Sequence, residues 1–182
     1  MADPQPDDAI DDHDRRTVAF YRLGLALTGA SLGGLASEAP FREVDPENWA
    51  VRGLVAGVGL SVLHLHLYDR RIRWFLGLCA WMGAWLALTG LHIWATRAGL
   101  GALFVVVSGL ALKERFCFKI PGLGLVPWAL ALGIVAWSAG PNVVAGASLA
   151  VATAFVLIMA VVKGRQPVGF DVGDKTRYDV GP

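Results

Sequence analysis

Six apolar runs, separated by short polar segments, are the feature that most constrains how this chain can fold. A helix needs about 20 residues to cross the roughly 30 Å hydrocarbon core of a bilayer, and the runs are close to that length. Only 17% of the residues are charged, against about 25% in a soluble domain. We therefore predict an all-α, polytopic transmembrane helix bundle. Its six spans are expected at about 18–36, 50–68, 74–94, 98–115, 123–139 and 143–162.

The two ends of the chain are polar and are predicted to flank a single membrane domain at 15–165. Residues 1–14 contain six aspartates and few large apolar side chains, which is typical of a disordered acidic tail. Residues 166–182 are polar and glycine-rich, and we expect them to be disordered as well. The alternative for the first run is a cleaved signal peptide, since Gly34-Leu35-Ala36 fits a small-x-small cleavage site. The long acidic leader and the length of that run favour an uncleaved span.

The distribution of lysine and arginine predicts the orientation of the bundle. Six spans place both termini on one side of the membrane, and that side then collects 13 of the 16 basic residues. Basic residues accumulate on the cytoplasmic side, so we predict an N-in, C-in protein of a bacterial inner membrane. The net charge of +1 gives no basic patch of the kind that nucleic acid requires. Anionic lipid head groups, and another membrane protein, are the partners that we expect.

Glycine pairs four residues apart predict close helix packing. They are Gly29 with Gly33 and Gly53 with Gly57, a spacing that lets helix backbones approach one another. We expect these pairs to pack within one chain rather than to form a dimer interface.

The densest mixture of charge, thiol and aromatic rings is the stretch Lys113-Glu114-Arg115-Phe116-Cys117-Phe118-Lys119, here called the heptad. It follows the fourth apolar run, and we expect it to lie at the cytoplasmic membrane surface. Its phenylalanines would anchor it in the interface while its basic residues meet anionic head groups. Glu114 is expected to pair with Lys113, or else to be a buried counter-charge or a proton carrier. The basic neighbours of Cys117 favour its thiolate, so a reactive thiol is the alternative interpretation.

A metal site is a second chemical hypothesis. His66 and Asp69 are three residues apart and can share a helix face, whereas His64 and His66 cannot. With Glu114 and Cys117 they would offer imidazole, carboxylate and thiolate ligands for zinc or another transition metal. The alternative is that the histidines are interfacial and hydrogen-bonded locally.

The heptad is similar to the signature of a family of uncharacterised integral membrane proteins that is common in cyanobacteria and other bacteria. That signature is Lys-Glu-x-Phe-Cys-Phe after an apolar helix ending in Gly-Leu-x-Leu, here residues 109–118. A proline-containing apolar span follows, as in the family. The resemblance implies the six-span layout over about 15–165 and no particular activity. It directs attention to Lys113, Glu114, Phe116, Cys117 and Phe118.

Three functions follow from these observations. The chain has no G-x-S-x-G, H-E-x-x-H, P-loop or G-x-G-x-x-G motif. We therefore favour a non-enzymatic accessory, assembly or partner-binding factor. A small transporter or channel for a weakly polar solute, with Glu114, His66 and Asp69 at its inner mouth, is the first alternative. A metal- or redox-linked membrane enzyme is the second.

Overall fold

The computed structural model describes residues 10–65 and 69–172, and these residues form helices and connecting segments without a β-strand. The helices are α1 (Asp12–Glu38), α2 (Trp49–Leu63), α3 (Arg70–Leu88), α4 (Ile93–Phe118), α5 (Val126–Ser138), α6 (Val143–Arg165) and the short α7 (Gly169–Val172), with a 3-10 turn at Leu123–Leu125 before α5. The all-α prediction is confirmed.

The six longer helices form a closed ring in chain order. Each of α1 to α6 packs against the next helix along the chain, and α1 closes the ring by packing against α6. Consecutive helices run antiparallel because their connections are short. The two described ends of the chain therefore lie at the same end of the bundle, where Arg22 of α1 contacts Asp171 of α7.

Three of these helices are long and apolar enough to cross a membrane, namely α1, α4 and α6. Helix α2 and the Leu123–Ser138 segment are apolar but shorter. Helix α3 has 19 residues, and Arg70, Arg71 and Arg73 in its first turn lower its mean hydropathy.

Several boundaries differ from those predicted. The third span was expected to continue to Trp94, but α3 ends at Leu88 and Gly90 adopts a positive φ of 60° that reverses the chain. His92 then caps α4, accepting a hydrogen bond from the backbone N–H of Trp94. Residues 95–97, which separated the third and fourth predicted spans, consequently belong to the first part of α4.

Both predicted tails contain ordered residues, which corrects the expected disorder for those parts. Asp11 and Asp14 form a capping box that starts α1 inside the predicted 1–14 tail. At the other end, α7 lies inside the predicted 166–182 tail, with Val172 only 1% exposed. Its burial against the bundle supplies the packing that its polar sequence did not indicate. Residues 1–9 and 173–182 lie outside the described part of the chain.

Glycines bring α1 and α2 into backbone contact. A Cβ atom on Gly57 would lie 2.7 Å from the backbone nitrogen of Thr28, and one on Gly24 would lie 2.8 Å from the carbonyl oxygen of Gly57. A Cβ atom on Gly29 would lie 2.6 Å from a side-chain methyl of Leu157 on α6. The prediction that these glycines pack within one chain is confirmed for Gly29, Gly53 and Gly57, whereas Gly33 makes only ordinary van der Waals contact.

Candidate functional site: a buried charge cluster beneath the heptad

The heptad forms the last helical turn of α4 and its C-cap, so its side chains divide between two faces. Glu114 is completely buried and faces the interior of the bundle. Arg115, Phe116 and Cys117 are exposed, and Phe116 retains 78% of its accessible surface. We call these three residues the outward face. Lys119 ends the helix with a positive φ of 54°, a conformation that glycine adopts without the steric cost borne by lysine.

Glu114 is held from two sides. The phenolic hydroxyl of Tyr21 on α1 donates a hydrogen bond of 2.7 Å to Oε1 of Glu114. The Nζ of Lys113 lies 3.3 Å from the same oxygen, which is the ion pair that the sequence predicted. The ammonium of Lys113 also stands over the ring of Tyr21, 5.0 Å from its centroid. Helix α4 is thereby joined to α1.

Lys163 of α6 connects two carboxylates. It has no solvent exposure, and its Nζ lies 3.2 Å from Oε2 of Glu114 and also pairs with Oδ1 of Asp171. The ring of Phe118 covers the ammonium, with its centroid 3.9 Å from Nζ. A charge without water is expensive unless it is paired. Lys163 meets this condition through two anions and one aromatic face.

Arg22 completes the arrangement at its outer edge. Its Nε and one Nη donate to Oδ2 of Asp171 at 2.9 and 2.5 Å, and the same Nη donates to the carbonyl of Gln166 at 2.8 Å. Arg22 thereby holds the segment after α6. The whole group, here the Glu114 cluster, consists of Tyr21, Arg22, Lys113, Glu114, Lys163 and Asp171.

The Glu114 cluster links four helices through buried ion pairs. It contains three cations and two carboxylates, and each carboxylate contacts two cations. It draws side chains from α1, α4, α6 and α7 to one point. Truncating one member of such a buried pair leaves an uncompensated charge, which is strongly destabilising.

Most of the cluster could not be identified from the sequence. Glu114 was singled out by its motif, but Tyr21, Lys163 and Asp171 were not. The sequence offered one signal for Lys163, since Lys163 and Arg165 are the two charged residues of α6 and both lie in its last turn. The sequence offered no signal for Asp171, because it belongs to a polar segment whose packing depends on residues distant in the chain.

The residues proposed as metal ligands do not form a site within the described residues. Asp69 is exposed and caps α3, accepting from the backbone N–H of Arg71 at 2.8 Å. Glu114 is buried in its cluster, whereas Cys117, three residues later on α4, is exposed. No three His, Cys, Asp or Glu side chains in residues 10–65 and 69–172 are placed to hold a metal ion. His66 lies outside these residues, so the four-residue metal set stays a prediction.

The other chemical candidates have local roles. The Nδ1 atom of His64 lies 2.9 Å from the carbonyl oxygen of Leu60 at the end of α2, and its ring stacks on Phe20 with centroids 5.2 Å apart. Cys79 is partly buried against the apolar core, and Cys117 is the free thiol that faces outward. Cys117 is therefore the more accessible of the two cysteines.

A second set of polar contacts stabilises the opposite end of the bundle. Arg97 of α4 is 7% exposed, pairs with Glu43 and donates to the carbonyl of Ser138 at 3.0 Å. The indole N–H of Trp137 donates to the carbonyl of Arg42 at 3.0 Å. The 39–48 connection is thereby held against α4 and α5.

Comparison with known proteins places the chain in a membrane context. A family model described as "Uncharacterized integral membrane protein (DUF2301)" matches residues 60–180, a range that includes the heptad, Lys163 and Asp171. An uncharacterized protein of Haemophilus influenzae is 28% identical over 184 residues, which cover 99% of this chain and 100% of that relative. No solved structure matches the chain.

Proposed function

Because this chain belongs to the uncharacterized integral membrane protein family DUF2301, we propose that it is a non-enzymatic accessory protein of the bacterial inner membrane, with both termini in the cytoplasm. In this proposal the outward face of α4 contacts anionic head groups and a partner membrane protein. The Glu114 cluster holds that face in position.

The observation that carries the proposal is the division of the heptad into a fixed side and a free side. Glu114 and Lys113 are engaged with α1 and α6. Phe116 projects from the same helical turn with 78% of its surface accessible. A large aromatic side chain held on a rigid element is a typical anchor for an interface with lipid or protein.

The charge asymmetry supports the proposed orientation. The described termini lie at the end of the bundle that also carries the heptad and the arginines at the start of α3. Thirteen of the 16 lysines and arginines belong to the segments assigned to this side. Accumulation of basic residues in short connecting segments is the signal that directs a segment to the cytoplasm.

Sidedness can be tested with the native thiol. In a Cys79→Ser background, a membrane-impermeant maleimide should label Cys117 in inverted inner-membrane vesicles and leave it unlabelled in intact spheroplasts. Cys117→Ser in the same background controls for non-specific labelling. Labelling of Cys117 from outside the cell would overturn the proposed orientation.

The partner-binding role needs a separate experiment. A tagged chain extracted in mild detergent should co-purify with a defined membrane protein, and the double change Phe116→Ala/Cys117→Ala should reduce that recovery. Leu78→Ala is the matched control, because Leu78 is 58% exposed on α3, away from the outward face. Recovery of the protein alone, with the double variant behaving as wild type, would refute an accessory role through this face.

A further inference from the structure

A groove with one cationic and one apolar wall lies between the end of α4 and the start of α5. Its volume is about 460 Å³, and Arg115, Lys119, Gly122, Gly124, Leu125 and Trp128 line it. Leu125 and Trp128 are 53% and 76% exposed, so the apolar wall is open to the surroundings of the bundle. We call this feature the α4–α5 groove.

The two cations of the groove have no acidic partner in the described part of the chain. Within residues 10–65 and 69–172, no carboxylate oxygen lies within 4.0 Å of Arg115 or Lys119. Lys113, from the same turn of α4, is in contrast paired with Glu114. Two positive charges that line one groove and meet no described carboxylate are complementary to an anion.

Gly124 forms the part of the groove wall that lies next to Arg115. The guanidinium of Arg115 lies directly against Gly124, where any Cβ atom would collide with it.

We propose that the α4–α5 groove binds the phosphodiester head group of one anionic phospholipid. Arg115 and Lys119 contact the phosphate, and the acyl chains run along Leu125 and Trp128. The apolar wall selects a lipid over a free phosphate ion, since it offers nothing to a small hydrated anion. The exposed indole of Trp128 belongs at head-group depth, where tryptophan is enriched. This inference rests on the proposed function and makes its lipid partner specific.

Lipid counting on the intact chain tests the proposal. The full-length protein, purified in mild detergent, is titrated with phosphatidylglycerol, and bound lipid is counted by native mass spectrometry. One molecule should be retained per chain. Each basic residue near an anionic surface contributes about 1 kcal/mol to binding. The double variant Arg115→Gln/Lys119→Gln should therefore weaken lipid retention about 30-fold. Arg70→Gln/Arg71→Gln removes two exposed charges from the same end and should weaken retention less than about fivefold.

A second variant keeps the test valid if the double change unfolds the chain. Lys119→Gly removes one cation at a position whose φ of 54° suits glycine, so the fold should tolerate it while lipid retention falls. Equal retention of phosphatidylcholine, displacement of the lipid by millimolar inorganic phosphate, or an equal loss in the Arg70/Arg71 control would each overturn the proposal. The number of bound lipids does not depend on which side of the membrane the groove faces. The lipid proposal can therefore fail while Cys117 labelling supports the proposed orientation, and the orientation can fail while lipid binding is observed.

Discussion

Replacing Lys163 with methionine tests whether the Glu114 cluster stabilises the bundle. Methionine has a similar length and no charge, so Lys163→Met preserves most of the packing and removes only the ammonium. At 3.2 Å from Oε2 of Glu114, the ammonium contributes about 5 kcal/mol of attraction at an effective dielectric constant of about 20. Desolvation of the buried ions offsets part of this attraction.

The net loss on substitution should still be large, because two buried carboxylates lose the cation between them. Glu114 would keep Tyr21 and Lys113, and Asp171 would keep Arg22. Removing one partner of a buried ion pair typically costs about 3–5 kcal/mol. We expect a decrease of this size in the free energy of unfolding, measured by reversible denaturation in mixed micelles.

A double-mutant cycle separates pairing from packing. Because Glu114→Gln removes a charge that Lys163 compensates, the double variant should lose about 1–3 kcal/mol less than the sum of the two single losses. Arg165→Gln, an exposed position on the same helix, should change stability by no more than about 0.5 kcal/mol. Strictly additive single losses, or a Lys163→Met variant as stable as wild type, would refute the reasoning.

Three further predictions concern packing, charge and backbone strain. Gly57→Ala places a Cβ atom 2.7 Å from a backbone nitrogen of α1 and should lower the free energy of unfolding by about 1–3 kcal/mol. Gly59→Ala is the control: its Cβ atom would meet nothing within 4 Å, so it should be neutral or stabilising in the same unfolding assay. Arg97→Gln should destabilise by about 1–2 kcal/mol, because the buried guanidinium loses its contacts with the half-exposed Glu43 and with the carbonyl of Ser138. Arg52→Gln, at an exposed position, should have little effect on the melting temperature in detergent. Lys119→Gly should raise the melting temperature by relieving about 1 kcal/mol of strain; an unchanged or lower value would contradict it.

The sequence predicted the helices well because their apolar runs are a local property. Six runs gave six bundle helices, and the even number placed the two described ends together. The extension of α4 into the heptad was also expected, and the structure continues the helix to Phe118. Helix boundaries that depend on a single capping side chain were harder to predict. The composition around His92 is compatible with either the end of one span or the start of the next, and the structure shows that it caps α4.

The buried cluster was largely beyond the sequence because its contacts are distant in the chain. Tyr21 and Glu114 are 93 residues apart, and Arg22 and Asp171 are 149 apart. Helical periodicity relates residues three or four positions apart, so it assigns Glu114 a face without identifying what that face meets. The same limitation made the segment after α6 appear to be a tail, although Asp171 and Val172 are buried there.

The cluster also bears on the charge asymmetry that supports the proposed orientation. Arg22, Lys113 and Lys163 are among the 13 basic residues assigned to the cytoplasmic side, yet buried carboxylates neutralise them. On the other side, Arg97 is neutralised by Glu43. Counting only the remaining charges leaves ten basic residues against two. The asymmetry therefore does not depend on the charges that the folded bundle pairs internally. Arg115 and Lys119, which have no ion pair within the described residues, can meet the membrane surface.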